Sequence, residues 1–575
     1  MAPEKSHPNH KQPSWAARFI PLLQWAPHYE RGWLRFDLIA GLTVTALVVP
    51  KALGYAGIAG VPIHYGLYAA AAGAILYAFF GTSRQISTGP SSALAAVAGS
   101  AVVVTGVSGG ADAVALVAAI TFVTGVLFLL LALFKMGWIS QFLSKAVITG
   151  FLFGAAIEVV IGELPKITGT KAEGTNAWQD LSSWLQSLPD THGTTLLVGL
   201  VSLVVIFGLR RVAPRVPGAL VLVVGGLVAS AAFGLGDRGL ALVGDVPSGL
   251  PSLALPDLRF VMQNLPVIGA ASIGLLLIGF SQSAGDARAF AAKHKYRVDI
   301  NQESVAQGVA NVGSGLVQGI PVSTSLSASS LNDTSGAKTP VASLTTGALI
   351  ILTLLFLAPL FSNLPKAVLA AIIIEAVVMG MMDVPEMWRL YRVARVDFWI
   401  AVAAILGVLS AGVLVGVMIG ILLSILWLIY ISATPHMHVL GRQPGTQVFR
   451  GVDDHPDSET YPGLLVLRFD AGLFFASADA LADRLIELHH EADPKLHTVV
   501  LDFEGVNFID SQGADTLAEL IELATSRDIE LRLTRVKTRV KDLLQRDGVI
   551  ERLGESCIYG NVYEAAADKI PENLS

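Results

Sequence analysis

Charged residues are scarce in this chain of 575 residues: they make up 15% of it, against 53% hydrophobic residues. An ordinary soluble domain is about one quarter charged, so this composition excludes a soluble enzyme of this size. A mean hydropathy of +0.61 points the same way. The composition therefore predicts a membrane protein.

Cysteine is also nearly absent, since Cys557 is the only one. A single cysteine excludes a disulfide framework and a thiolate metal site, and no histidine cluster replaces it. The sequence also lacks a phosphate loop and a nucleophile with a base at usable spacing. We therefore predict that the chain is not an enzyme and holds no metal and no cofactor, apart from a possible coupling ion such as H⁺ or Na⁺.

The few charges are unevenly distributed. The first 433 residues carry 25 basic and 20 acidic residues, whereas the last 142 carry 14 basic and 25 acidic ones. We expect a cytoplasmic N-terminal segment (1–35), a transmembrane domain (36–433), a linker (434–462) and a small α/β domain (463–575). Because the soluble domain is acidic, we predict no nucleic-acid partner.

Long apolar runs fill the transmembrane domain. Twelve runs between residues 36 and 431 are candidate spans, and two interrupted segments, 87–104 and 320–332, raise the total to about fourteen. Nineteen basic residues then fall on the side of the N-terminus and five on the other. This asymmetry places the N-terminus and the tail in the cytoplasm of a multi-pass, lipid-embedded protein of the inner membrane.

The two interrupted segments take the third and tenth places among the fourteen, which suggests a seven-plus-seven inverted repeat. A weaker sign of the repeat is that the fifth and twelfth spans begin with the same three residues, Lys145-Ala-Val and Lys366-Ala-Val. Irregular backbone at membrane depth is tolerated where it is buried in protein or lines a water-filled cavity. The repeat therefore predicts a central site at the two breaks.

Each break is rich in serine and threonine and is expected to begin a half-helix. The unpaired N–H groups at such a start present roughly half a positive charge, which suits an anion. Pro90 is expected at the first helical position, with Thr88 or Gly89 as the cap. The alternative is that the serines only allow close helix packing.

Six short motifs match a known signature: Asp37-Leu-Ile-Ala-Gly41, Pro62-Ile-His-Tyr-Gly-Leu-Tyr68, Gly81-Thr-Ser-Arg84, Asn301-Gln-Glu303, Ala310-Asn311 and Gly336-Ala-Lys-Thr339. They resemble the SulP sulfate permease family, whose animal relatives include pendrin and prestin. The tail, with Ile509-Asp-Ser-Gln-Gly513, resembles the STAS domain shared by sulfate transporters and anti-sigma-factor antagonists. The resemblance implies secondary active anion transport by a homodimer, in which a core domain carrying the substrate moves against a gate domain.

The family's anion site can be carried over residue by residue. With the first break included, the predicted substrate-binding residues are Lys51, Tyr55, Thr88, Gly89, Ser91, Gln282, Ser325, Leu326 and Ser327. Sulfate is the default cargo. Bicarbonate, chloride and a dicarboxylate are alternatives, and the residues do not distinguish among these anions.

Three positions depart from common family patterns. Lys51 stands where relatives usually have Gln or Glu, and Ala328 stands where some relatives have a basic residue, so we hypothesise that Lys51 supplies that charge. The alternative is a lysine that snorkels to the outer interface. Many bacterial members have a carboxylate where Gln282 stands. Asp286 lies one helical turn further on and is the candidate ion-coupling residue, with an ion pair to Arg288 as the alternative.

Other residues carry weaker hypotheses. Glu158 and Glu375 are further buried acids, for which a structural pairing is expected. Ser511 matches the serine that antagonist proteins phosphorylate, although this loop is also a common helix cap.

Two other functions compete with anion transport. One is a nucleobase-type permease, which shares the inverted repeat but uses carboxylates for binding and lacks a STAS tail. The other is a transport-inactive membrane sensor that signals through the tail.

Overall fold

The computed structural model describes residues 20–106, 110–136, 144–172, 174, 176–214, 216–492 and 495–570. The chain forms two compact units, Met1–Ser424 and Ile425–Ser575. Of the predicted N-terminal segment 1–35, the first nineteen residues lie outside the described residues.

The first unit is helical, and each of the fourteen predicted spans contains a helix. Among the residues that the structure describes, eight helical segments are long and apolar enough to cross a membrane by themselves. Its described α-helices of more than six residues are α1 (Leu34–Ile58), α2 (His64–Phe80), α3 (Ser92–Val104), α4 (Gly110–Leu133), α5 (Lys145–Thr168), α6 (Ala177–Ser187), α7 (Gly193–Val212), α8 (Gly218–Phe233), α9 (Leu265–His294), α10 (Ile300–Leu316), α11 (Leu326–Thr334), α12 (Val341–Leu352), α13 (Lys366–Met381), α14 (Val384–Val393), α15 (Arg395–Ala411) and α16 (Val413–Ala433), the last of which crosses the boundary between the units.

Helices α5 and α13 begin at Lys145 and Lys366, as the repeated Lys-Ala-Val sequence predicts. Small residues allow the closest helix contacts, as is usual in membranes. A Cβ atom at Gly66 of α2 would lie 2.0 Å from the Ala52 carbonyl oxygen of α1. Glycine at this position therefore lets α2 support the part of α1 that carries Lys51.

The second unit is an α/β domain built on one sheet. Its strands are β3 (Met437–Arg442), β4 (Phe449–Gly451), β5 (Leu464–Phe469), β6 (Thr498–Asp502), β7 (Glu530–Thr534) and β8 (Ile558–Tyr559), in the spatial order β4-β3-β5-β6-β7-β8. The pairs from β5 to β8 are parallel, and β3 is antiparallel to β5 and β4. Its helices are α17 (Ala478–Glu491), α18 (Ser511–Ser526), α19 (Thr538–Arg546), α20 (Val549–Leu553) and α21 (Val562–Ala566). Phe469, Leu501, Phe503, Leu517 and Leu533 are fully buried in its core.

The prediction of a linker over residues 434–462 is wrong. Met437 pairs with Phe469 and Leu440 pairs with Gly451, so this segment contributes two strands to the sheet. Polar and apolar residues alternate only from His436 to Val439, which is too short a run to predict a strand by itself. Only pairing with β5 reveals these residues as strands.

Candidate functional site

The two interrupted segments meet in the middle of the membrane unit. Strand β1 (Thr88–Pro90) of the first is antiparallel to β2 (Val322–Thr324) of the second. The Ser325 N–H donates to the Ser87 carbonyl oxygen at 3.0 Å, and the Ser87 N–H donates to Ser329 Oγ at 2.9 Å. The two breaks therefore satisfy each other's backbone groups, which is how irregular backbone persists at membrane depth.

Amide side chains from α10 hold this strand pair from behind. Asn311 Nδ2 donates to the Val322 carbonyl oxygen at 2.9 Å, and the Val322 N–H donates to Asn311 Oδ1 at 3.0 Å. Gln307 Nε2 donates to Thr88 Oγ1 at 3.1 Å. Asn311, which belongs to a signature motif, and Gln307 hold the two strands in place, and neither lines the cavity in front of them.

Both half-helices begin directly after the strands. Helix α3 begins at Ser92 with Ser91 as its cap, and α11 begins at Leu326 with Ser325 as its cap. The expectation that Pro90 opens α3, capped by Thr88 or Gly89, is wrong by two residues. Pro90 stands in the strand ladder opposite Val322, which a residue without an N–H group tolerates at a ladder end.

A cavity of about 540 Å³ opens in front of these two helix starts. It is lined by Lys51, Tyr55, Pro90, Ser91, Ser92, Arg210, Gln282, Asp286, Thr324, Ser325, Leu326, Ser327, Ser330, Glu375, Ala376, Met379 and Gly380. Seven of the nine predicted substrate-binding residues and the predicted coupling residue Asp286 are in this lining. Thr88 and Gly89 lie in β1, outside the lining.

Lys51 reaches the cavity from α1. Its Nζ lies 3.5 Å from Ser327 Oγ of α11, so the ammonium group sits at the start of the second half-helix. Tyr55, one turn further along α1, is buried and lines the cavity together with Ser92 at the start of the first half-helix. One helix face therefore contacts both breaks, and this geometry disfavours the snorkelling alternative for Lys51.

Helix α9 supplies a carboxylate and an amide. Asp286 Oδ2 accepts a hydrogen bond from Thr324 Oγ1 at 2.7 Å. Gln282 Oε1 is buried, without a hydrogen-bond partner among the described residues. The described residues include no ion pair between Asp286 and Arg288, which disfavours the ion-pair alternative.

Sequence reasoning did not place the basic residue Arg210 in this cavity. We counted it with the basic residues of the cytoplasmic loops, but it lies in the last turn of α7 and its Nη1 donates to Glu375 Oε1 of α13. The structural pairing expected for Glu375 is thereby confirmed, with arginine as the partner. Glu158 Oε2 is buried without a hydrogen-bond partner in the described part of the chain.

Two acidic residues of the signature motifs lie away from the cavity, and each connects distant segments of the chain by hydrogen bonds. Asp37 of α1 accepts from the Lys338 N–H at 2.7 Å and from Thr339 Oγ1 at 2.7 Å. Glu303 of α10 accepts from Tyr77 hydroxyl at 2.6 Å and from the Thr82 N–H at 2.8 Å. Each acid joins distant segments of the chain, which gives these motifs a structural rather than a chemical role.

The tail places Ser511 at the first position of α18, where it is exposed. Asp510 caps the helix by accepting from the Gly513 N–H at 2.8 Å. Elsewhere in the tail, Arg532 donates to Asp568 Oδ2 at 2.9 Å. The hydrogen bonds from this guanidinium hold the pKa of Asp568 well below its ordinary value.

Comparison with known sequences finds matches to both the membrane domain and the tail. A family model described as the sulfate permease family matches residues 34–404, and one described as the STAS domain matches residues 455–565. A probable sulfate transporter of Mycobacterium tuberculosis is 33% identical over 93% of this chain and 96% of its own length. The chloroplastic sulfate transporter 4.1 of Arabidopsis thaliana is 31% identical over 96% of this chain and 82% of its own length.

Solved structures share the fold. The murine solute carrier 26 family member A9 anion transporter superposes with a TM-score of 0.88 at 22% identity, covering 98% of this chain and 96% of its own. The transmembrane domain of a cyanobacterial bicarbonate transporter, BicA, gives a TM-score of 0.58 at 22% identity, covering 69% of this chain and 98% of its own. These matches confirm the helical membrane transporter fold with a C-terminal α/β domain. Membership of a permease family also agrees with the prediction that the chain is a transporter rather than an enzyme. The chain belongs to the sulfate permease family and carries a C-terminal STAS domain.

Proposed function

We propose that this chain carries a small anion across the membrane by secondary active transport, with sulfate as the first candidate cargo. The observation that carries the proposal is one cavity in which two half-helix starts, Lys51 and several serine hydroxyls meet. Relatives named as sulfate transporters, at 33% and 31% identity, favour sulfate. Bicarbonate, chloride and dicarboxylates are the alternatives to test beside it.

The charges in the cavity suit an anion. Two facing helix starts contribute about one positive charge in total, and Lys51 contributes another. Arg210 and Glu375 neutralise each other. With Asp286 ionised, the lining therefore carries about one net positive charge, and with Asp286 protonated it carries about two. A dianion such as sulfate then binds best together with a proton, whereas a monoanion needs none.

Asp286 is therefore our candidate for the coupling residue. A proton on this carboxylate, or a sodium ion beside it, would neutralise the charge that opposes a dianion. The Thr324 hydroxyl that donates to Asp286 belongs to β2, directly before the half-helix start. This contact supports a coupling role for Asp286, because it holds the carboxylate next to the predicted anion site without using the N–H groups of the half-helix start.

Movement and assembly complete the proposal. The anion is carried by an elevator-type movement of the core domain against the gate domain in a homodimer of the cell's inner membrane. The N-terminus and the STAS domain face the cytoplasm, as the distribution of basic residues suggests. Ser511 is exposed at a helix start and is our candidate phosphate acceptor in the tail.

Uptake by purified protein in liposomes tests the proposal. Labelled sulfate, bicarbonate and fumarate are offered in turn, each with and without an inward proton or sodium gradient. We expect saturable uptake of one anion, driven by one gradient, and no concentrative uptake by Asp286→Asn. Liposomes without protein are the control for leak.

Two outcomes would redirect the assignment. Uptake of a labelled nucleobase, offered to the same liposomes in a parallel assay, without uptake of any anion would support the nucleobase-type alternative. No uptake of any solute by folded protein would support the transport-inactive sensor.

A further inference from the structure

Arg210 and Glu375 form an ion pair on one wall of the cavity. The Arg210 side chain is 48% exposed, whereas that of Glu375 is 9% exposed. Among the described residues, the guanidinium donates one hydrogen bond, from Nη1 to Glu375 Oε1. A guanidinium group carries five N–H donors. Arg210 therefore faces the cavity with donors that the described protein groups do not use.

Arg210 lies in the last turn of α7. Arg210, Asp286 and Gly380 line the cavity from the C-terminal parts of α7, α9 and α13. These helices occupy the sixth, eighth and twelfth predicted spans, so all three run in the same direction across the membrane. Arg210 therefore lies toward the face at which α7 ends, which the distribution of basic residues predicts to be cytoplasmic.

The two walls of the cavity belong to different groups of helices. The first wall carries Lys51, Ser91 and Ser327. Helix α1 packs on α3 and α11, which follow the paired strands β1 and β2, and it also meets α13 of the second wall. Arg210 and Glu375 lie on α7 and α13, which pack on each other and on α5. A relative movement of the two groups would therefore separate the anion from Arg210.

We propose that Arg210 is a second anion-binding group that acts only while the cavity faces the side at which α7 ends, and that Glu375 positions its guanidinium. The inference rests on the proposed transport function. In the empty cavity Glu375 neutralises Arg210, and a bound oxyanion accepts the remaining N–H donors in bidentate geometry. When the binding wall moves away, the anion keeps Lys51 and the helix starts but loses Arg210. Anion affinity therefore differs between the two membrane faces.

The test compares right-side-out and everted membrane vesicles containing the full chain. The half-saturating concentration of labelled anion is measured from each face, with saturating unlabelled anion on the opposite side. We expect Arg210→Gln to raise this concentration about tenfold to hundredfold at the face where α7 ends, the range for loss of a charged hydrogen bond. At the other face the change stays within about twofold.

Arg211→Gln is the matched control, because Arg211 is the next residue, is exposed and does not line the cavity. Arg210→Gln leaves Glu375 as an unpaired buried carboxylate, which can impair folding. The double variant Arg210→Gln/Glu375→Gln removes the pair without that charge, and it should show the same one-sided loss.

Equal effects at both faces, or unchanged values in the folded double variant, would overturn the inference while leaving the proposed function standing. Wild-type vesicles without saturable flux would overturn both.

Discussion

Replacement of Lys51 by glutamine should weaken anion binding by about tenfold to hundredfold and leave the fold intact. Lys51 Nζ lies 3.5 Å from Ser327 Oγ on the cavity wall, within reach of an anion held at the start of α11. A hydrogen bond to a charged group contributes about 1.5–3 kcal/mol. Because about 1.4 kcal/mol corresponds to a factor of ten in affinity, this contribution gives the expected range.

The Coulomb attraction between the two charges gives a wider range of energies that includes this one. Two unit charges about 4 Å apart attract by about 4 kcal/mol at an effective dielectric constant of about 20, and by about 1 kcal/mol in water. The Lys51 side chain is neither fully buried nor fully exposed. The loss on removal of its charge should therefore fall between these two values.

Equilibrium binding of labelled anion to the purified protein measures the effect. Lys51→Arg keeps the positive charge and should bind more tightly than Lys51→Gln. Lys171→Gln removes an exposed lysine outside the cavity and should bind like the wild type. A thermal unfolding midpoint close to that of the wild type verifies that each variant is folded. Unchanged anion affinity in folded Lys51→Gln would refute the reasoning. It would favour the alternative in which Lys51 snorkels to the outer interface.

Three further variants test other parts of the account. Asp286→Asn should abolish accumulation of labelled anion against its gradient while preserving exchange, and continued accumulation would remove this residue from the coupling mechanism. Asn311→Ala leaves the N–H and C=O groups of Val322 unpaired and should lower the free energy of unfolding by roughly 2–4 kcal/mol. An unchanged thermal unfolding midpoint would show that these two hydrogen bonds do not stabilise the strand pair. Because Arg532 lowers the pKa of folded Asp568, their pair should stabilise the tail above about pH 4 and lose this contribution as the pH falls further. In urea unfolding, the advantage of the wild type over Asp568→Asn should therefore shrink at acidic pH, and a difference independent of pH would contradict that ion pair.

The breaks in the apolar pattern were the most informative feature of the sequence. Serine-rich segments with proline or glycine cannot form uninterrupted apolar helices, so their place in the membrane domain predicts irregular backbone and a cavity. The structure places Ser91 and Ser325 as the caps of two half-helices on that cavity. The exact start of α3 could not be predicted, because it depends on the pairing of Pro90 with Val322 across the two breaks.

Arg210 could not be assigned to the cavity from its position in the chain. A basic residue at the end of an apolar run is usually a cytoplasmic anchor, and nothing in the sequence near Arg210 points to Glu375. Their meeting requires α7 to pack on α13, a contact between residues 165 positions apart. Such a pair follows from helix packing and not from local pattern.

The sequence by itself determined the membrane class, the division into an apolar and an acidic part, the two central breaks and the motifs that resemble the family. These properties follow from composition, from the length of apolar runs and from residues adjacent in the chain. Only the tertiary structure decided which side chains share the cavity and that Lys51 reaches the second half-helix. It also decided that Asp37 and Glu303 connect distant segments of the chain by hydrogen bonds. Each of these depends on contacts between distant segments, whose geometry is set by the packing of whole helices.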